Sequence, residues 1–107
     1  MDAPSAIIIF ITAPTFDKAN EIADALVNER LAACATIIPQ IKSIYWWEGK
    51  LCRDEEVMIL AKSQKALFPE IMSRVQSLHS YEIPEIVSIP IVDGLPAYLE
   101  WIKTVTK

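Results

Sequence analysis

The densest polar cluster in this chain is His79-Ser80-Tyr81-Glu82-Ile83-Pro84-Glu85, which places the only histidine beside a tyrosine and two carboxylates. A neutral imidazole suits a borderline metal such as Cu2+, and Glu82 and Glu85 could complete a harder shell for another divalent cation. The same histidine could instead end a helix by bonding its last carbonyls. Cys34 would be a soft Cu(I) ligand if the fold brought it to a thioether such as Met58 or Met72; otherwise it is a small buried hydrophobe. Lys62 could bind an anion between subunits together with Tyr81, in a cleft that Glu82 and Glu85 would also line. Lys62 could equally be a solvated strand end.

Other chemistries lack their residues. No GxGxxG, Walker loop, GxSxG or histidine pair at metal-ligand spacing is present. With only two glycines, no loop can cradle a phosphate through successive backbone N–H groups. A Cys–His nucleophile would require Cys34 or Cys52 to meet His79 together with an orienting group. We expect no enzyme and no obligatory cofactor.

The elements that must position these residues follow from periodicity. Residues 6–12 form an apolar β-branched run, read as a strand buried on both faces. Thr15 can cap a helix in which Ala19, Ile22, Ala23, Leu26, Val27 and Arg30 share a stripe. Residues 35–47 and 51–62 flank Glu48-Gly49, the tip of a long β-hairpin. Each arm is about twice the usual strand length of roughly 5–6 residues, so the tip should overhang the sheet. There Tyr45, Trp46 and Trp47 would meet another subunit, and Arg53-Asp54-Glu55-Glu56 would be solvated. A second helix is expected over residues 63–78 with Pro69 in its first turn, a strand over 86–92, and a final short helix from Pro96.

The order is β-α-β-β-α-β plus a terminal helix, an α+β ferredoxin-like arrangement formed by residues 1–107 as one domain. Pro39 and Pro90 fall in the second and fourth strands, the edges in this topology, where a missing N–H is tolerated. Two helices cover only one face of a four-stranded sheet, yet the central strands are apolar on both. Subunits packing sheet against sheet would bury the second face, and closed cyclic symmetry is the usual solution.

Composition agrees. An apolar fraction of 52% is high for a small soluble monomer, and a net charge of −4 argues against nucleic acid. No run approaches the ~20 apolar residues of a membrane helix, and no Lys or Arg precedes residues 6–11 as in a signal peptide. Two cysteines, expected to be reduced, point to the cytoplasm.

Several segments together, LAACATIIP (31–39), IYWWEGK (44–50), HSYEIPEI (79–86) and YLEWI (98–102), with ITAPTFDKA (11–19), resemble the CutA divalent-cation tolerance family nearly end to end. The resemblance implies a tight homotrimer similar in architecture to the P-II signalling proteins, and a role in tolerance of divalent metals, copper above all. His79 matches the histidine of the family's H-x-Y-x-x-P-E segment. Ile11 and Leu78 stand where members proposed to bind copper can carry a cysteine and a second histidine, and Ser80 where proline is frequent. Two other functions compete with metal binding: a P-II-like module for a small anionic ligand at the subunit interface, and a structural interaction trimer without a ligand.

Overall fold

A computed structural model describes residues 5–107. Strand β1 (Ala6–Ala13) leads into helix α1 (Phe16–Asn28), strands β2 (Cys34–Trp47) and β3 (Lys50–Gln64) form the hairpin, and a 3-10 turn (Lys65–Leu67) opens helix α2 (Phe68–Leu78). Strand β4 (Ile86–Pro90) and helix α3 (Pro96–Val105) complete the order. The sheet is antiparallel in the order β2-β3-β1-β4, so β2 and β4, which carry Pro39 and Pro90, are the edges. The α+β ferredoxin-like arrangement read from the sequence is the fold.

Period-two alternation divides the sheet cleanly. Ile7, Ile9, Ile11 and Ala13 of β1 and Val57, Ile59, Ala61 and Ser63 of β3 are buried beneath α1 and α2, packed on Ile22, Leu26, Ile71 and Val75. Thr15 caps α1 as expected, its hydroxyl accepting the Lys18 N–H at 3.1 Å. The opposite face presents Ile8, Phe10, Ile38, Met58, Leu60, Val87 and Ile89 on shared rungs. Helix α3 covers only one end of it, around Ala6, Ala33 and Ile102, and leaves Val87 and Ile89 half exposed.

The tip is a tight turn with φ of 50° at Glu48 and 77° at Gly49, the left-handed pair that matches strand twist. Between Ile38↔Met58 and Ile41↔Glu56 the register shifts by one residue, a bulge at Pro39-Gln40. Its effect on the tip is large. A regular ladder would have set Lys42, Ile44 and Trp46 opposite Asp54, Cys52 and Lys50. The bulge instead puts Ser43, Tyr45 and Trp47 on the side of Asp54 and Glu56 and turns Trp46 outward, 72% exposed.

Several boundaries differ from the sequence reading, most of them by one residue, and the larger differences fall at three places. Residues 63–64 extend β3 because Ser63 continues the inward alternation, fully buried with its Oγ donating to the Leu31 carbonyl at 2.5 Å. Strand β4 stops at Pro90 because its partner β1 begins at Ala6. Arg30 lies beyond α1, at φ 59°, where the chain reverses without a glycine.

Candidate functional site

The connector between α2 and β4 crosses the end of β1 and lies against the overhanging hairpin. Its anchor is His79. Nε2 lies 2.7 Å from the Thr12 carbonyl and Nδ1 accepts the Tyr81 N–H at 3.0 Å. An acceptor on one side and a donor on the other assign one tautomer, with the proton on Nε2. His79 does end α2, its backbone N–H donating to the Val75 carbonyl at 2.8 Å, but its ring does not bond the helix carbonyls: it ties the connector to the first strand. Neither nitrogen is left for a metal.

Tyr81, its ring tilted 38° to that of His79 with centroids 4.7 Å apart, donates its hydroxyl to Glu56 Oε2 at 2.7 Å. Glu56 is therefore not part of a solvated overhang but only 7% exposed, covered by a loop that is distant in sequence. Burial, then the Glu56 carboxylate, raises the Tyr81 phenol well above the ordinary tyrosine range. On the hairpin, Tyr45 donates to Asp54, which pushes the Tyr45 phenol up to about 12. Tyr98, raised by burial and by Cys34, completes the set.

These raised values fix the sign of the alkaline response. The folded chain keeps phenolic protons that the unfolded chain loses near pH 10, so stability is fully present below that pH and falls as pH rises toward 12. Phenolate absorbance of the folded protein should rise later than that of the urea-unfolded chain. Coincident titrations would show that the Tyr45–Asp54 and Tyr81–Glu56 bonds do not form.

Between hairpin and connector lies a cavity of about 700 Å3, lined by Thr12, Ser43, Tyr45, Trp47, Glu48, Glu56, Ser80, Tyr81, Glu82 and Glu85, with Ile44 and Ile83. Four of these side chains are carboxylates and none is cationic. Of the residues expected at the tip interface, Tyr45 and Trp47 face this cavity and Trp46 faces away.

Lys62 is not among the lining residues. It lies six positions along β3 from Glu56, roughly 20 Å at ~3.3 Å per residue, so within one chain it does not join Tyr81, Glu82 and Glu85. Lys62 Nζ lies 3.9 Å from Cys34 Sγ, and the Tyr98 hydroxyl lies 3.8 Å from the same sulfur. Cys34 therefore meets an ammonium and a phenol, not Met58 or Met72, and the soft thiolate–thioether pair does not form.

The sequence profile of the CutA1 divalent ion tolerance proteins matches residues 7–105. The chain belongs to the CutA1 family. A mouse protein named CutA is 46% identical over 98 residues, which are 92% of this chain and 55% of the mouse protein; the chain thus spans about half the length of that relative. A divalent-cation tolerance protein CutA of Thermus thermophilus is 45% identical over 96 residues, covering 90% of this chain and 93% of its own. A solved structure of the divalent cation tolerance protein Cut A1 from that organism superposes with a TM-score of 0.93 at 43% identity, covering 95% of this chain and 99% of the other. The structure of a CutA from Archaeoglobus fulgidus, described as periplasmic, gives 0.92 at 39% identity with the same coverage.

A CutA1 chain invites the question of a copper centre, and the residues present do not fit one built on His79. Both imidazole nitrogens are engaged, Ile11 is an apolar side chain buried in the core, and Leu78 packs against that core. Among the described residues no three His, Cys, Asp or Glu side chains converge on a point. The sequence drew attention to Tyr81, Glu82 and Glu85 but missed Glu56, Glu48 and Thr12. Alternation along β3 is the signal that finds Glu56, two positions from Met58 and on the same face.

Proposed function

We propose that this chain is a non-enzymatic CutA1 trimer of the cytoplasm that contributes to divalent-cation tolerance by attracting cations weakly into the cavity beneath each hairpin. The observation that carries this is the charge of the wall: Glu48, Glu56, Glu82 and Glu85 with no Lys or Arg. Carboxylates spread around a void hold hydrated Cu2+ or another divalent cation by oxygen contacts and field, without the geometry of a tight chelate. The same charge disfavours a small anionic ligand there.

The trimer is supported by the apolar sheet face, with Ile38, Val87 and Ile89 uncovered, and by two edge strands that lack partners in the single chain. The cytoplasm is supported by two free cysteines: Cys34 pairs with Lys62 and Cys52 with Tyr45, ten positions apart along β3 and far beyond disulfide reach. No helix among the described residues is long and apolar enough to cross a membrane.

Calorimetric titration with Cu2+ and Mg2+ tests the reading. Weak binding of both is expected, reduced about 2–5-fold for each carboxylate neutralised in Glu82→Gln and Glu85→Gln. Sedimentation of the same samples should give the mass of three chains. Cation binding indifferent to both substitutions would overturn the assignment.

A further inference from the structure

We propose that the cavity beneath the hairpin binds a linear aliphatic polyamine, an organic cation with several ammonium groups on a methylene chain. The proposal rests on the cavity being a cation site and gives that cation a chemical class.

Charge alone would admit any cation. Two features separate an organic one from a bare ion. The first is dispersion: four carboxylates line about 700 Å3, yet no three donors among the described residues gather on one point. Such spacing suits several positive charges held apart by a chain. The volume falls within the roughly 300–1,000 Å3 of small-molecule sites.

The second feature is the rest of the wall. Tyr45, Trp47 and Tyr81 present three aromatic rings among the carboxylates, and Ile44 and Ile83 add aliphatic surface. An ammonium gains from a ring face, and methylenes gain from burial against rings and isoleucines. A small hydrated metal ion keeps its water and gains little from either.

Glu56 supplies the deep end. It is 7% exposed, and its Oε2 takes the Tyr81 hydroxyl. Among the described residues no fully enclosed side-chain nitrogen or oxygen lacks a hydrogen bond, so Oε1, to which none of them donates, keeps some exposure in a side chain that lines the cavity. A terminal ammonium carries three donors and no acceptor, the complement of a desolvated carboxylate oxygen. Glu82 and Glu85, both exposed, lie toward the open side, where the next ammonium would meet them.

The test is calorimetric titration of the intact protein with spermidine, set against hexaamminecobalt(III), which carries equal charge without methylenes, at one fixed ionic strength. Saturable spermidine binding, tighter than that of the cobalt complex and weakened about tenfold by Glu56→Gln, is expected. Glutamine keeps an acceptor for Tyr81. Where that buried substitution disturbs folding, Glu82→Gln at an exposed residue should still weaken spermidine about 2–5-fold. Equal affinity for both trications would overturn the proposal, because the aromatic wall would then contribute nothing. Spermidine without saturable heat beside measurable Mg2+ or Cu2+ binding would also overturn it while leaving the cation site standing. Failure of every cation would remove both.

Discussion

Exchanging His79 for alanine is expected to destabilise the fold by about 2–3 kcal/mol while leaving the affinity for Cu2+ unchanged. The substitution removes the donor to the Thr12 carbonyl and the acceptor of the Tyr81 N–H together. Each such bond contributes about 1 kcal/mol net, and a buried partner left without one costs about 1–3 kcal/mol. Thr12 is nearly buried, so its carbonyl is not fully rescued by water. The connector would then loosen from β1, while Glu48, Glu56, Glu82 and Glu85 keep the charge that attracts a cation weakly. His79→Gln, whose amide can still donate toward Thr12, should recover part of the loss. Urea unfolding followed beside a Cu2+ titration separates the roles: a ligand loses affinity at constant stability, whereas a structural pin loses stability at constant affinity.

The second large effect is expected at the open face of the sheet. Val87 and Ile89 lie on the rungs of Phe10 and Ile8 and are 51% and 48% exposed in the single chain. Within the proposed trimer the part of this face around Val87 and Ile89 is buried against the other subunits. Ile89→Asp would place a carboxylate there without a partner, at a cost of several kcal/mol per subunit. Three copies of the change should convert the three-chain particle to monomers in sedimentation, with the helix-covered core intact by circular dichroism. A particle that stays trimeric would show that another surface holds the subunits together.

The fold was legible because its determinants are local or strictly periodic. Thr15 caps α1, Glu48-Gly49 closes the hairpin, and Pro39 and Pro90 mark the edges. The boundary of β3 was less so, because Ser63 and Gln64 are polar in a window where polarity suggests a helix start, and only the buried bond to Leu31 explains the extra residues. Arg30 shows the same limit, taking a left-handed conformation that glycine would have announced.

The site was half legible. The connector could be picked out by its density of polar residues, but the contacts that define its chemistry are long-range. His79 reaches back 67 positions to Thr12 and Tyr81 reaches 25 to Glu56. Neither spacing carries a pattern in the sequence. Nor does the bulge at Pro39-Gln40, although it decides that Tyr45 and Trp47, rather than Trp46, face the carboxylates. Lys62 was grouped with Tyr81 across a subunit boundary; within one chain the register pairs Lys62 with Cys34.

The central claim is that His79 positions the acidic cavity instead of binding its cation. With one histidine in the chain, nitrogen-15 magnetic resonance of the imidazole reads it directly. Zn2+, diamagnetic and well matched to imidazole, is the probe. The structure predicts a protonated Nε2 and an unprotonated Nδ1, with both resonances unmoved as Zn2+ is added and carboxyl carbons of Glu82 and Glu85 shifting. A Zn2+-dependent shift of either imidazole nitrogen at stoichiometric metal would contradict the claim and restore His79 as a ligand.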